Sequence, residues 1–326
     1  MEVKSYVEAL REHLVPFPPT ESPGEVKEEL QKMRADPTQK FFTKYDLKMA
    51  SQQVAEAKDG DELLLKEWES MPTDASWIDQ GNLASRYSCS DPSITLWSWQ
   101  HTRTCFSHIP KEPMLTSKLE DPDAVKKSLQ TTVAKWEASP AWMELKSTLE
   151  SANIPSTIDE LTAIGCGPMS ADTETSTMLR SLHQHALMLT LRKFLEERQG
   201  NGSKIICYSQ DPAFLSNDLE VMKDAEINMK VLNSPDGFIM ADASTVFMAF
   251  DPDVLTRELM ADFERPAVFI WNRVHTASDQ STTPEERLGD PPSERVKSMI
   301  NEEYNTVDYE FDCDNIGDIA VYVKNN

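Results

Sequence analysis

The sequence predicts an α/β fold: a Rossmann-like, mostly parallel sheet with flanking helices, a C-terminal β-hairpin and a helical N-terminal half. Three observations predict it. From Glu160 onward, short apolar runs of strand length alternate with helical stretches, the rhythm of a parallel sheet with right-handed crossovers. The first of these runs ends in Gly165-Cys166-Gly167 and passes through a Ser/Thr/Asp/Glu-rich segment into a long apolar helix, as the first βα unit of a doubly wound sheet does. The chain closes on two apolar runs divided by Asp314-Asn315-Ile316-Gly317, a turn sequence.

Along the N-terminal region, Glu2–Leu14 and Glu25–Arg34 are helix-like and are separated by the proline-rich VPFPPTESPG. A further helix is expected over Leu47–Trp68, and Ser93–Trp99 is expected to pair with Thr102–Ile109 as a hairpin. Val125–Trp136 and Trp142–Ala152 carry helical patterns, the second opened by Ser139-Pro140, a cap followed by a residue suited to the first turn. Six of the seven tryptophans precede residue 143. Residues 1–150 are therefore expected to form a mainly helical region packed on the core, and residues 151–326 the α/β domain.

Leu161–Ile164 is the first expected strand of that domain. Ser176–Arg198 follows as a helix whose apolar face holds Leu179, Leu182, Ala186, Leu187, Leu191, Phe194 and Leu195. Asn201-Gly202 breaks it, and Lys204–Tyr208 is an unbroken strand of the buried type. Leu215–Asp224 is expected as helix, Asn228–Leu232 and Thr245–Phe250 as strands, Asp253–Phe263 as helix and Ala267–Trp271 as a fifth strand. Residues 273–294 are polar and are expected as an exposed loop. A short helix over Ser293–Tyr304 then leads to hairpin strands at Val307–Cys313 and Ile319–Val323.

Composition narrows the function classes. A chain of 326 residues that is 39% hydrophobic has the material for a sizeable core. Its net charge of −23 argues against electrostatic capture of nucleic acid or an anionic membrane, since both need a basic face. The N-terminus is charged throughout and has no apolar core segment of the signal-peptide kind. Five scattered cysteines, an odd number, are expected to be reduced thiols. These features point to a soluble acidic protein of the cytoplasm or nucleus.

Five blocks occur in order: AIGCGPM, Gln184-His185-Ala186, ICYSQDPAF, STVFMAFDP and PAVFIWN. Together they resemble the Sensitivity to Red Light Reduced (SRR-like) domain family over roughly Trp142–Trp271, and the fungal members most. The resemblance places the family's glycine turn on Gly165 and Gly167 and its strand-two element on Asp211, Pro212 and Phe214. The family's strand-four element, a Met-Pro-His-Cys-Pro-like run, falls on Met248–Pro252, where the His and Cys are absent. Plant members are associated with circadian and light-signalling regulation, others with haem-linked or cytoskeletal phenotypes. The resemblance thus implies a regulatory or partner-binding role, with protein partners and no complete catalytic set.

Read as chemistry, Gly165-x-Gly167 lets the backbone approach a ligand, and a helix N-terminus after it favours an anionic group. Asp211 lies just past the second strand, where methyltransferase-like sheets keep an acid for ribose hydroxyls. The alternative function is therefore an enzyme binding S-adenosylmethionine or a nucleotide through Gly165, Cys166, Gly167 and Asp211. The bland account of the glycines is a tight turn and nothing more. Asp211-Pro212 and Asp251-Pro252 either converge as carboxylates at the sheet edge or cap the helices that follow. Cys166 stands near an expected helix N-terminus, a setting that lowers a thiol pKa. His183 and His185 are two residues apart on a helix and face different ways; His183, in line with Leu179 and Leu187, is expected at the core edge, and His185, beside Gln184 in the family block, is the better candidate, its bland account being a satisfied buried imidazole. Cys89, His101, Cys105 and His108 are zinc-ligand types in no recognised zinc spacing, so no metal is expected.

Overall fold

The structure, a computed structural model, describes residues 43–56, 62–65, 67–68, 85–88, 103–104, 121–170, 176–200, 202–211, 213–250, 256–274, 293–307 and 316–325. The expected helices before residue 40, the Ser93–Trp99 strand, the four zinc-type residues, Pro212, Asp251, residues 275–292 of the expected loop and residues 308–313 of the first expected hairpin strand lie outside the described residues.

In chain order the first elements are α1 (Lys44–Glu56), β1 (Glu62–Leu65), β2 (Glu67–Trp68), β3 (Ser85–Ser88) and β4 (Arg103–Thr104). Then come α2 (Pro122–Glu137), α3 (Pro140–Ser151), β5 (Glu160–Ile164), α4 (Ser176–Gln199), β6 (Ile206–Gln210), α5 (Ser216–Lys223) and β7 (Met229–Val231). The chain finishes with α6 (Asp236–Met240), β8 (Thr245–Ala249), α7 (Thr256–Asp262), β9 (Val268–Asn272), α8 (Glu294–Glu303), β10 (Tyr304–Val307) and β11 (Ile319–Lys324). No described helix is long and apolar enough to cross a membrane.

Two compact units share the chain. One collects Met1–Lys111, Asp253–Phe263 and Ser281–Ser298; the other takes Glu112–Pro252, Glu264–Gln280 and Met299–Asn326. In the first, α1 opens with a reciprocal cap: Thr43 N donates to Asp46 Oδ2 at 2.8 Å and Asp46 N to Thr43 Oγ1 at 3.1 Å. The helix expected over Leu47–Trp68 ends at Glu56, and the chain beyond it forms strands. β1 pairs with β3 and β2 with β4, both antiparallel, so Arg103–Thr104 faces Glu67–Trp68. Charged side chains are buried in this unit: Arg295 of α8 bonds Asp262 of α7 and lies 3.8 Å from Glu258.

The second unit holds a seven-stranded sheet in the order β10-β11-β9-β8-β5-β6-β7. β9, β8, β5, β6 and β7 are mutually parallel, and β11 runs against both of its neighbours, β9 and β10. The hairpin is present but begins earlier than expected, at Tyr304, because the Tyr ring is buried and its hydroxyl donates to the Pro266 carbonyl at 2.8 Å. Short side-chain alternation sorts the strands into two faces. On one face Leu161, Ala163, Val246, Met248, Val268, Ile270, Val321 and Val323 join a core with α2, α3, α4 and α5. The other carries buried aromatics, with Phe238, Phe247, Phe269 and Trp271 in successive ring contact.

Helix α4 buries most of its expected face, but Leu179 is 48% exposed, while Met178 beside it is buried in the core. Short α6 was not anticipated: its five residues span little more than one turn. Gly237 within it lies so near the sheet that an added Cβ would fall 2.8 Å from Ile164 Cδ1, and its N–H donates to Gln210 Oε1 at 2.8 Å.

Candidate functional site

Strand order reverses at β5: the chain builds β6 and β7 to one side, then crosses to place β8 on the other. The carboxyl end of β5 is thus the switch point at which open α/β sheets leave a crevice. The Gly165-Cys166-Gly167 turn sits there. Gly165 has φ +76° and Gly167 φ +71°, a left-handed backbone that favours glycine at both.

Internal hydrogen bonds hold this turn from every side. Gly165 N donates to the Gln210 carbonyl at 3.1 Å. Gly167 N donates to Asp211 Oδ2 at 2.7 Å, and the other oxygen of the same carboxylate accepts from Ala213 N at 2.8 Å. Asp211 is 8% exposed. Ser181 Oγ of α4 donates to the Gly167 carbonyl at 2.7 Å.

A second carboxylate, Asp218, extends the network. Its Oδ1 accepts from Met169 N at 2.9 Å and Ser170 N at 2.8 Å, while Oδ2 accepts from Leu215 N at 2.8 Å and closes the start of α5. Burial pushes its carboxyl pKa up against the pull of those N–H donors. Asp218 escaped the sequence reading, although an acid at the third position of the SNDLEVMK helix is a capping signal. Ser181 left no signal, being one more serine inside a helix.

Cys166 departs from its expectation. The thiol is 2% exposed, and burial, with the Asp211 charge adding to it, pushes its pKa up rather than down. Buried Cys207 is pushed up to about 12 for the same first reason. Neither is a thiolate at neutral pH.

The two histidines of α4 part as expected. His183 is half-buried, its Nδ1 2.7 Å from the Leu179 carbonyl. His185 is fully buried, with Nδ1 2.8 Å from the Ser181 carbonyl and its ring 6.0 Å from that of Phe214. A carbonyl only accepts, so Nδ1 carries the proton and Nε2 is left as an acceptor; among the described residues Nε2 has no partner. Burial lowers the His185 pKa to about 4, against the opposing Ser181 bond. Gln184 is buried beside it.

The structure therefore gathers Gly165, Cys166, Gly167, Asp211, Phe214 and His185, and adds Asp218, Ser170 and Ser181. No group of three or more potential metal-binding side chains occurs among the described residues. A cavity of about 450 Å³ lies at the other, amino-terminal edge of the sheet, lined by Thr157, Asp242, Ser244, Glu264, Arg265 and Lys324. Arg265 there is already held by Glu303 through two bonds of 2.8 and 3.0 Å.

A family model described as the SRR1 domain matches residues 144–323, more than half of the chain. The match runs from α3 through the whole sheet and takes in α8 and the closing hairpin, well past Trp271. No curated protein matches the chain. With four of the five ordered blocks on strands β5, β6, β8 and β9, the fifth on α4, and the family match spanning the sheet, the chain belongs to the SRR1 domain family.

Proposed function

We propose that this SRR1-domain protein is regulatory and works through protein contacts in the cytoplasm or nucleus, without a catalytic set of its own. One observation carries the reading: the reactive-type groups at the switch point are turned inward. Asp211 and Asp218 accept backbone N–H groups, Cys166 is a buried thiol, and Ser181 donates to a carbonyl. Nucleophilic catalysis needs an activated nucleophile within reach of a base; Ser181 Oγ lies 3.5 Å from His185 Nδ1, but that nitrogen carries its proton toward the Ser181 carbonyl and is no base for the hydroxyl. A chain of net charge −23 favours a partner with a basic face. Affinity capture of the intact chain from native extract, confirmed in the reverse direction, is expected to return a reproducible partner that dissociates as salt rises. If no protein co-purifies in either direction, the reading is wrong.

A second reading, an S-adenosylmethionine- or nucleotide-binding protein, is favoured by the strand reversal at β5 beneath a glycine turn. The hairpin that ends the sheet also matches methyltransferase-like folds. Between the two ligands the hydrogen bonds favour the adenosyl one. A phosphate cradle needs free N–H donors at the turn. Here the amides of Gly165, Gly167, Met169 and Ser170 all donate inward, two of the acceptors being carboxylates, and Pro168 has no N–H.

A further inference from the structure

Most buried polar groups in folded proteins find a hydrogen-bond partner, so an exception calls for an explanation. His185 Nε2 is such an exception at the switch point. The tautomer fixed by the Ser181 carbonyl makes it a lone-pair acceptor, and what it lacks is a donor. Its ring lies between Ser181, which touches Gly167, and Phe214, which sits in the segment after β6. Those are the two segments that border the crevice at the carboxyl end of the sheet. The carboxylates there already serve other donors: Asp211 takes Gly167 and Ala213, and Asp218 takes Met169, Ser170 and Leu215.

Resting on the adenosyl-binding reading, we propose that His185 Nε2, rather than Asp211, is the acceptor for a ribose hydroxyl of a ligand docked at the glycine turn. A neutral hydroxyl suits the position because it brings one donor and no charge to a fully buried site. Asp211 becomes the positioning residue that holds Gly167 in its left-handed conformation. His185 is then a binding residue whose unmet acceptor is a cost of the empty state.

The test uses the full chain, with S-adenosylhomocysteine and adenosine as probes. Calorimetric titration is run on the wild type, His185→Phe and His185→Gln, and the imidazole nitrogens of the wild type are followed by ¹⁵N NMR. The expected result is a Nε2 resonance that moves on adding either probe, and a Kd raised at least about tenfold in His185→Phe, the worth of one such bond. His185→Gln, whose side-chain oxygen restores an acceptor, should stay within about threefold of wild type. Apo His185→Phe should melt no lower than wild type, since an unpaired buried nitrogen has been removed. If the wild type binds and His185→Phe binds equally well, the role of His185 is wrong and the adenosyl reading stands. If neither probe gives heat nor moves the Nε2 resonance, both fall. Should His185→Phe fail to fold, His185→Gln and the NMR response decide the matter.

Discussion

A histidine buried with one nitrogen bonded, as His185 is, makes the folded chain sensitive to acid. The pKa of His185 is lowered from 6.5 to about 4, first by burial, with the Ser181 bond working in the opposite direction. Between those values the unfolded chain holds a proton that the folded chain does not. Stability is therefore full above pH 6.5 and falls as pH drops toward 4; by pH 5 the loss from this one group is about 2 kcal/mol. Urea unfolding at pH 7 and pH 5 checks it: the drop should be smaller in His185→Phe by about that amount. Equal drops in both proteins would show that His185 is solvated or protonated in the folded state. That His185 lies on a different face of α4 from His183 was legible from their offset. Its missing partner was not, because hydrogen bonding across elements leaves no trace in spacing. Cys166 shows the same limit: a helix N-terminus can be read from sequence, but the burial that outweighs it cannot.

Elements with strong local chemistry were the legible ones. Ser139-Pro140 was expected to open a helix, and α3 begins at Pro140. The Ser139 hydroxyl accepts from Trp142 N at 3.1 Å and donates to the Trp136 carbonyl at 2.7 Å, so one side chain opens α3 and closes α2. The junction matters because Trp136 and Trp142 pack at a ring distance of 6.2 Å, and Trp142 meets Phe194 of α4 edge-on at 6.3 Å. Ser139→Ala should cost about 1 kcal/mol through the lost cap. That lowers Tm by about 2–4 °C for a cooperative unit of this size, as differential scanning calorimetry would read. A drop under one degree would mean that packing, not the cap, fixes the corner. Where local chemistry was weak, the reading drifted. Leu47–Trp68 carried helical residues throughout, yet the helix stops at Glu56, before the Asp59-Gly60 pair. The first hairpin strand was set by its tertiary pairing with β11 rather than by its own pattern.

At the scale of the whole chain, strand order was only half legible. Alternating apolar runs predicted parallel strands, and five are parallel; nothing in those runs says that β8 lies beside β5 and not beside β7. Unit membership was less legible still. A division near residue 150 is natural from the change of rhythm at Glu160, and the family match begins at residue 144. Yet α2 and α3 belong to the unit of the sheet, and Asp253–Phe263 and Ser281–Ser298 belong to the unit of the N-terminal residues. The chain thus leaves the sheet after β8 and again after β9 to complete the other unit. Leu259, Met260 and Val296 are buried there, together with charged Arg257, Glu258, Asp262 and Arg295. A chain shortened to residues 112–326 would keep α7 and the start of α8 without most of their unit. Uncovering apolar side chains of that size costs about 1.5–3 kcal/mol each, and ion pairs that lose their surroundings add little in water. The shortened chain is expected to express poorly or aggregate, and to melt at least about 5 °C below the full chain if it remains in solution. Calorimetry beside size-exclusion chromatography of the two forms settles the point. A monomeric 112–326 chain melting with the full-length protein would show that the SRR1 sheet folds alone, with the two excursions as appendages of it.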